Sequence, residues 1–374
     1  MESLVFEQRV YSETSGSCKV EEKNSFTSKN LPNCNMQEKV KTAANPFSLS
    51  ERSTDFSGDK PTQYIKRESF SQEMTLFNDE TINLTEEYQF KQSIDQCIGN
   101  GSYGRVFRGT NTTNNTGVAV KEMLSILVKE NELQVLQIVS SNFLVRLFKV
   151  CQDVSSIHTY LIMELCDTDL CEYLKFDTPQ NCLNEQNLRV VIDNVIRGYH
   201  VLYQHKIVHR DIKPPNILIM LNNPNLNEPG GILSAKITDF GISRVLEGDE
   251  NDSQGELPLS NVAGTLHYMA PEIGVNLLQV NNYNYSVDVW SIGCVLFECL
   301  TGRVPFDEGQ ICRLFLYAAG DNYEAYEQPL FPSDCHSSYQ QLIEGMLMIR
   351  GAKRTKPNEL LQIVDKWQEK QADH

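Results

Sequence analysis

The residues best equipped for chemistry lie in one stretch, Ile207-Val208-His209-Arg210-Asp211-Ile212-Lys213-Pro214-Pro215-Asn216-Ile217-Leu218. An aspartate near a substrate hydroxyl, a lysine two residues on and an asparagine five residues on supply a base or orienter, a charge stabiliser and a metal ligand. His205 and His209 have the i, i+4 spacing of a metal pair, but Ile207 and Val208 between them look like a short strand and no third ligand cluster accompanies them. A second acid, in Lys236-Ile237-Thr238-Asp239-Phe240-Gly241, suits chelation of a Mg2+ that bridges phosphates. In Gly99-Asn100-Gly101-Ser102-Tyr103-Gly104-Arg105-Val106 the glycines let backbone amides approach phosphates without a Cβ in the way. Dinucleotide folds share that spacing, but there a helix starts at the glycines. Here Arg105-Val106-Phe107-Arg108 continues as a strand, so the glycines sit in a hairpin, a lid over a nucleotide. Val118-Ala119-Val120-Lys121 is a strand ending in a lysine suited to pairing with α- and β-phosphates; taken alone, it reads more readily as a surface lysine on an edge strand. Glu132, on the stretch after it, is the candidate anion to orient that lysine.

These groups need elements to position them. β-Branched runs at 105–109 and 117–123 flank a polar turn of Thr and Asn at 110–116 and, with 88–98, predict a three-strand meander. A helical stretch ends at Val139, and strands follow around 143–150 and 160–164. Leu188, Val191, Ile192, Val195, Tyr199 and Leu202 fall on one face of a helix over 185–205, and the segment around 290–300 is apolar on nearly every side, as in a buried helix. Strands come first and helices later, which is an α+β order with a sheet-rich front and a helix-rich back.

The chain has 374 residues, 33 Lys+Arg against 49 Asp+Glu and a formal charge of −16, which excludes a nucleic-acid binder of the basic-tract kind. Its length allows two or three domains, and 40% hydrophobic residues suffice for a sizeable core. The 11 cysteines are odd in number and form no C-x-x-C pair, as in a reducing compartment. No run approaches the ~18 apolar residues of a membrane span, and the first residues lack a basic, apolar leader. A soluble protein without membrane contact, cytoplasmic or nuclear, is expected. Residues 1–87 are rich in Ser, Thr, Asn, Glu and Lys without sustained periodicity and are expected to be a disordered tail, either merely solvated or regulatory with Lys66-Arg67-Glu68-Ser69 as its one docking hint. Residues 245–302 contain no Lys or Arg, while Glu247, Asp249, Glu250, Asp252, Glu256, Glu272, Asp288 and Glu298 make them acidic.

The ordered combination of the glycine hairpin at 99–106, Lys121, the His209-Arg210-Asp211 loop with Asn216, Asp239-Phe240-Gly241 and Ala270-Pro271-Glu272 resembles the eukaryotic serine/threonine protein kinase family over residues 88–367. That resemblance implies a two-lobed fold, with an N-lobe over 88–165, a C-lobe over 166–367 and a short tail at 368–374. It implies ATP and Mg2+ as cofactors and Ser/Thr hydroxyls of protein substrates as acceptors. Asp211 would be the base or hydroxyl orienter, Lys213 would steady the transferring phosphoryl group, Lys121 would grip phosphates and pair with Glu132, and Asn216 and Asp239 would hold the metal. Ile98, Gly99, Asn100, Gly101, Ser102, Tyr103, Gly104, Val106, Ala119, Met163, Glu164, Cys166 and Leu218 would line the nucleotide site. Leu136, Leu147, His209 and Phe240 would stack as a spine, Thr265 would bond Asp211 and Lys213, and Arg354 would pair with Glu272. Ser253 and Ser260 would be phosphate acceptors for an upstream kinase or for autophosphorylation, with Arg210 as countercharge. The short spacing from Lys121 to Glu132, the short hinge and the insertion at 221–231 resemble the kinase domain of the endoplasmic-reticulum stress sensor that carries a ribonuclease, without that ribonuclease. The acidic loop and the insertion at 275–285 resemble IκB-kinase-related enzymes. The rival function is a pseudokinase scaffold or allosteric binding module, whose mark is loss of the phosphate-binding lysine, the loop aspartate or a metal ligand. Lys121, Asp211, Asn216 and Asp239 are all present.

Overall fold

The computed structural model describes residues 79–101, 104–128, 133, 139–153, 155–222, 231–240, 244–245, 266–276 and 284–372, all within the unit Ile65–His374. The N-lobe strands are β1 Glu80–Asn83, β2 Tyr88–Gln92, β3 Cys97–Gly101, β4 Gly104–Asn111, β5 Thr116–Leu124, β6 Leu147–Gln152 and β7 His158–Glu164. They pair antiparallel in the order β1-β2-β4-β5-β7-β6, with β3 also on β4. Asparagine chemistry makes the tight β4–β5 connection: Asn111 Oδ1 accepts the amides of Thr113 and Asn114, Asn114 Oδ1 accepts that of Thr116, and Asn115 takes φ 56°. Along β5 the period of two separates two clusters. Val118 and Val120 join Phe90, Phe107, Tyr160 and Ile162; Ala119 and Met123 join Val145, Leu161, Met163 and Cys166. Lys121 shares the parity of Ala119 and Met123.

The C-lobe is built from α1 Leu170–Asp177, α2 Glu185–Gln204, α3 Pro271–Asn276, α4 Ser286–Thr301, α5 Glu308–Ala319, α6 Ser337–Met346 and α7 Pro357–Ala372 among the described residues. Strands β8 Thr168–Asp169, β10 Ile217–Leu221 and β11 Ile232–Ile237 form a small sheet in the order β11-β10-β8, and β9 Ile207–Val208 pairs with β12 Arg244–Val245. Asn184 caps α2 through the Asn187 amide at 2.9 Å, and the apolar face predicted for that helix is buried throughout. Helix α4 is buried on nearly every side and ends at Gly302, whose φ of 72° no β-carbon could share with the Gln180 carbonyl beside it. Each large apolar side chain buried there contributes about 1.5–3 kcal/mol, which makes α4 the axis of the lobe. The architecture is thus two-lobed α+β.

Two expected boundaries are corrected. The sheet begins at Glu80, inside the tail expected to reach residue 87. Strand β1 offers one partly buried apolar side chain, Ile82, so it has no visible period; backbone pairing to β2 and the Lys91–Asp79 ion pair at 2.7 Å hold it. Helix α7 runs to Ala372, beyond the limit set at 367. Gln368 extends it by accepting from Arg197 and donating to Asp193 on α2, polar bonds to which a search for apolar residues is blind. Residues 1–78, with the rest of the expected tail, and the segments at 129–132, 134–138, 223–230, 246–265 and 277–283 lie outside the described residues. Among those described, no helix is long and apolar enough to cross a membrane.

Candidate active site

The loop between β9 and β10 hangs from α4. Asp288, fully buried on that helix, accepts the backbone N–H of both His209 and Arg210 at 2.7 Å. Burial pushes the Asp288 carboxyl above the usual aspartate range, and the two amide bonds oppose that shift. Arg210 takes φ 71°, a left-handed conformation that costs about 1–2 kcal/mol and that these charge-assisted bonds offset. His209 is also buried. Its Nδ1 accepts the Asp211 N–H at 3.2 Å, so Nε2 carries the proton and donates to the Thr238 carbonyl at 2.9 Å; its ring lies 5.2 Å from that of Phe240. Both nitrogens are therefore engaged, and the histidine acts as a strut between the loop and the Asp239-Phe240 segment.

Above the strut the polar groups converge. Asp211 Oδ2 receives Lys213 Nζ at 2.8 Å and Asn216 Nδ2 at 3.0 Å, and the same Asn216 nitrogen donates to the Asp211 carbonyl at 2.8 Å. This leaves the Asn216 amide oxygen as its ligating atom. The Thr238 amide donates to the Asn216 carbonyl at 3.0 Å, which places the Asp239 strand end beside the loop. Asp239, at φ 62°, meets Lys121 Nζ at 3.3 Å across the lobes. Burial would raise its carboxyl, but Lys121 beside it holds it below the ordinary range. Lys121 sits opposite Val106 in the β4–β5 register, and Gly101 opposite Gly104 closes the glycine hairpin. Ala119, Met163 and Cys166 are buried in one cluster, with Val106, Leu147, Leu165 and Leu218 packed against it. Ile98 is exposed. The Glu164 amide donates to the Arg146 carbonyl at 2.9 Å, and its carboxylate is held by Lys236 at 2.8 Å. Burial pushes the Cys166 thiol up to about 12, so it is an apolar wall rather than a nucleophile.

Asp211, Lys213, Asn216, Asp239, Lys121 and the apolar group from both lobes therefore surround one cleft. Glu132, Ser102, Tyr103, Leu136, Thr265, Ser253 and Ser260 lie outside the described residues. Away from the cleft, Arg354 Nη1 and Nη2 grip Glu272 at 2.6 and 2.8 Å. The acids of 245–302 do not all face one way: Asp288 supports the loop from within, and Glu298 on α4 accepts the Tyr268 hydroxyl at 2.6 Å. The signal for Asp288 is an acid in the first turn of a helix that is apolar on nearly every side. Nothing in the spacing of Glu164 and Lys236 could have paired them.

Burial also raises the Glu298 carboxyl, so the folded state holds that proton more tightly than the unfolded chain. Stability from this group is then greatest at low pH and declines as pH rises through and above the ordinary glutamate range. Urea unfolding of Glu298→Gln should show a flatter stability profile between pH 4 and 7 than wild type; parallel profiles would refute this assignment.

A curled antiparallel sheet over a helical lobe, with a glycine hairpin, a cross-lobe lysine and an Asp-Lys-Asn loop in the cleft, defines the two-lobed protein kinase class. The sequence matches the protein kinase domain over residues 92–365, and the chain belongs to that family. It is 32% identical over 234 residues to serine/threonine-protein kinase unc-51 of Caenorhabditis elegans, covering 58% of this chain and 25% of that protein. It is 30% identical over 275 residues to human serine/threonine-protein kinase ULK1, covering 69% and 24%. Mitogen-activated protein kinase 3 of Oryza sativa is 33% identical over 225 residues, covering 58% and 55%. The chain thus spans about a quarter of the first two relatives' length and just over half of the third's. These relatives carry the names of different kinase groups and single out no subfamily.

Proposed function

We propose that the chain transfers the γ-phosphate of ATP to Ser and Thr hydroxyls of protein substrates. The observation that carries this is Asp211, held by Lys213 and Asn216, beside an Asp239 that meets Lys121 from the other lobe. Asp211 orients the incoming hydroxyl and accepts its proton, and Lys213 steadies the transferring group. Lys121 and the amides of the glycine hairpin bind the phosphates, while Val106, Ala119, Met163 and Leu218 enclose the base. The Asn216 amide oxygen and the Asp239 carboxylate are hard oxygen donors few in number, a set that suits Mg2+ completed by phosphates and water. When bound there, the ion neutralises charge on the phosphate oxygens. Among the described residues all nine cysteines are free, which supports a reducing, cytoplasmic or nuclear setting. Ser253 and Ser260 are the candidate acceptors for an upstream kinase or for autophosphorylation.

The test is incorporation of labelled γ-phosphate into a generic basic protein, followed by phosphoamino-acid analysis. Wild type should label Ser and Thr, and Asp239→Asn should lower the rate about a hundredfold or more. Equal labelling by both proteins would remove the proposal and favour a scaffold.

A further inference from the structure

Glu122 follows Lys121 on β5 and, by the period of two, faces the other side of the sheet. It is only 5% exposed, and its carboxylate draws together three strands. Gln92 Nε2 at the end of β2 donates to Oε1 at 2.9 Å, while Arg105 Nε and Nη2 at the start of β4 donate to Oε2 at 3.1 and 2.7 Å. The Arg105 guanidinium also lies over the Phe107 ring, 5.5 Å from its centroid. Arg105 is the residue immediately after Gly104, the last glycine of the hairpin. At that glycine the backbone of Glu122 closes in as well: Gly104 has φ 149°, and a Cβ there would overlap the Glu122 carbonyl oxygen. Side chain and backbone of one residue therefore hold the returning limb of the hairpin.

A buried carboxylate paired with a partly exposed guanidinium is a poor means of stabilising a sheet for its own sake. Desolvating the two ions offsets much of their attraction, and an apolar pair of like volume often serves as well or better. What the fork of Arg105 and the amide of Gln92 add is direction. Loosening them would leave the two apolar clusters intact but free the base of the hairpin to shift relative to Lys121.

We propose that Gln92, Arg105 and Glu122 form a positioning device for the glycine hairpin, fixing its base so that its amides meet nucleotide phosphates. The proposal rests on the ATP-binding function given above. Arg105 and Glu122 pair across β4 and β5 on the face opposite Val106 and Lys121, and Gln92 bonds Glu122 there, so their effect on the phosphates passes through the hairpin.

Calorimetry with adenosine and with the non-hydrolysable analogue AMP-PNP plus Mg2+ separates the possibilities in wild type, Glu122→Gln and Arg105→Gln. The device predicts that AMP-PNP binds about tenfold more weakly to either variant while adenosine changes by less than about twofold. The double variant should resemble each single one, because all three lose the same bond. Equal weakening of both ligands would show a merely structural role, and no weakening of either in a folded variant would show none; both overturn the proposal. If Glu122→Gln does not fold, Arg105→Lys, which keeps the charge and loses the fork, should give the same split at smaller size. Wild type binding neither ligand would bring down the ATP-binding function and the device together, whereas tight wild-type binding without the split in the variants brings down the device alone.

Discussion

Asp211→Asn is expected to lower phosphoryl transfer about a thousandfold, within the range that general-base catalysis contributes, with almost no loss of stability. The substitution preserves shape. An asparagine oxygen at Oδ2 still accepts from Asn216, and the loop still hangs from Asp288 through the amides of His209 and Arg210. What disappears is the negative charge that draws Lys213 to 2.8 Å and that would take or orient the acceptor proton. The Asp211–Lys213 pair is partly solvated, so its loss costs about 1 kcal/mol or less. Nucleotide affinity should stay near wild type because Lys121, Asp239 and the apolar cluster are untouched. A variant that turned over at a wild-type rate would exclude Asp211 from the chemistry, and one that failed to bind nucleotide would show its role to be architectural.

The second large effect concerns stability. In Glu272→Gln the Arg354 guanidinium, whose side chain is 1% exposed, keeps its bonds to the carbonyls of Ser286, Met348 and Ile349 and its place 4.9 Å from the Trp290 ring, but loses its countercharge. An uncompensated buried charge costs about 3–5 kcal/mol. The Glu272 side chain is 29% exposed, and water offsets part of that, so a loss of about 2–3 kcal/mol is expected. Urea unfolding should show the midpoint falling with little change in slope. The remaining folded fraction should bind AMP-PNP as wild type does. A change under about 0.5 kcal/mol would mean that the carbonyls alone satisfy the arginine.

The lobes and the cleft were largely legible because the residues involved have few substitutes. Only glycine lets Gly104 pass beneath the Glu122 carbonyl, and period-two and period-3.6 patterns marked β5 and α2 directly. What escaped was held by polar contacts between distant segments. The β1 strand and the end of α7 bury little apolar surface, and the Glu164 and Lys236 partners stand on different lobes. The acidity of residues 245–302 likewise did not show which acids are internal: Asp288 is sealed inside the C-lobe, whereas the expected pairing of Glu272 with Arg354 is present. A count of acids carries no information about burial, because a paired or amide-bonded carboxylate has the same letter as a solvated one.

The bonds from Asp288 go to main-chain amides, and every residue except proline carries one. The suspension of the loop therefore uses no side-chain atom of 209 or 210, asking only that residue 210 tolerate its left-handed backbone, and depends on the side chain at 288. Constraint is divided accordingly: positions 209 and 210 are held for what their side chains do, whereas a substitution at 288, remote from any substrate, would reach the cleft through the backbone.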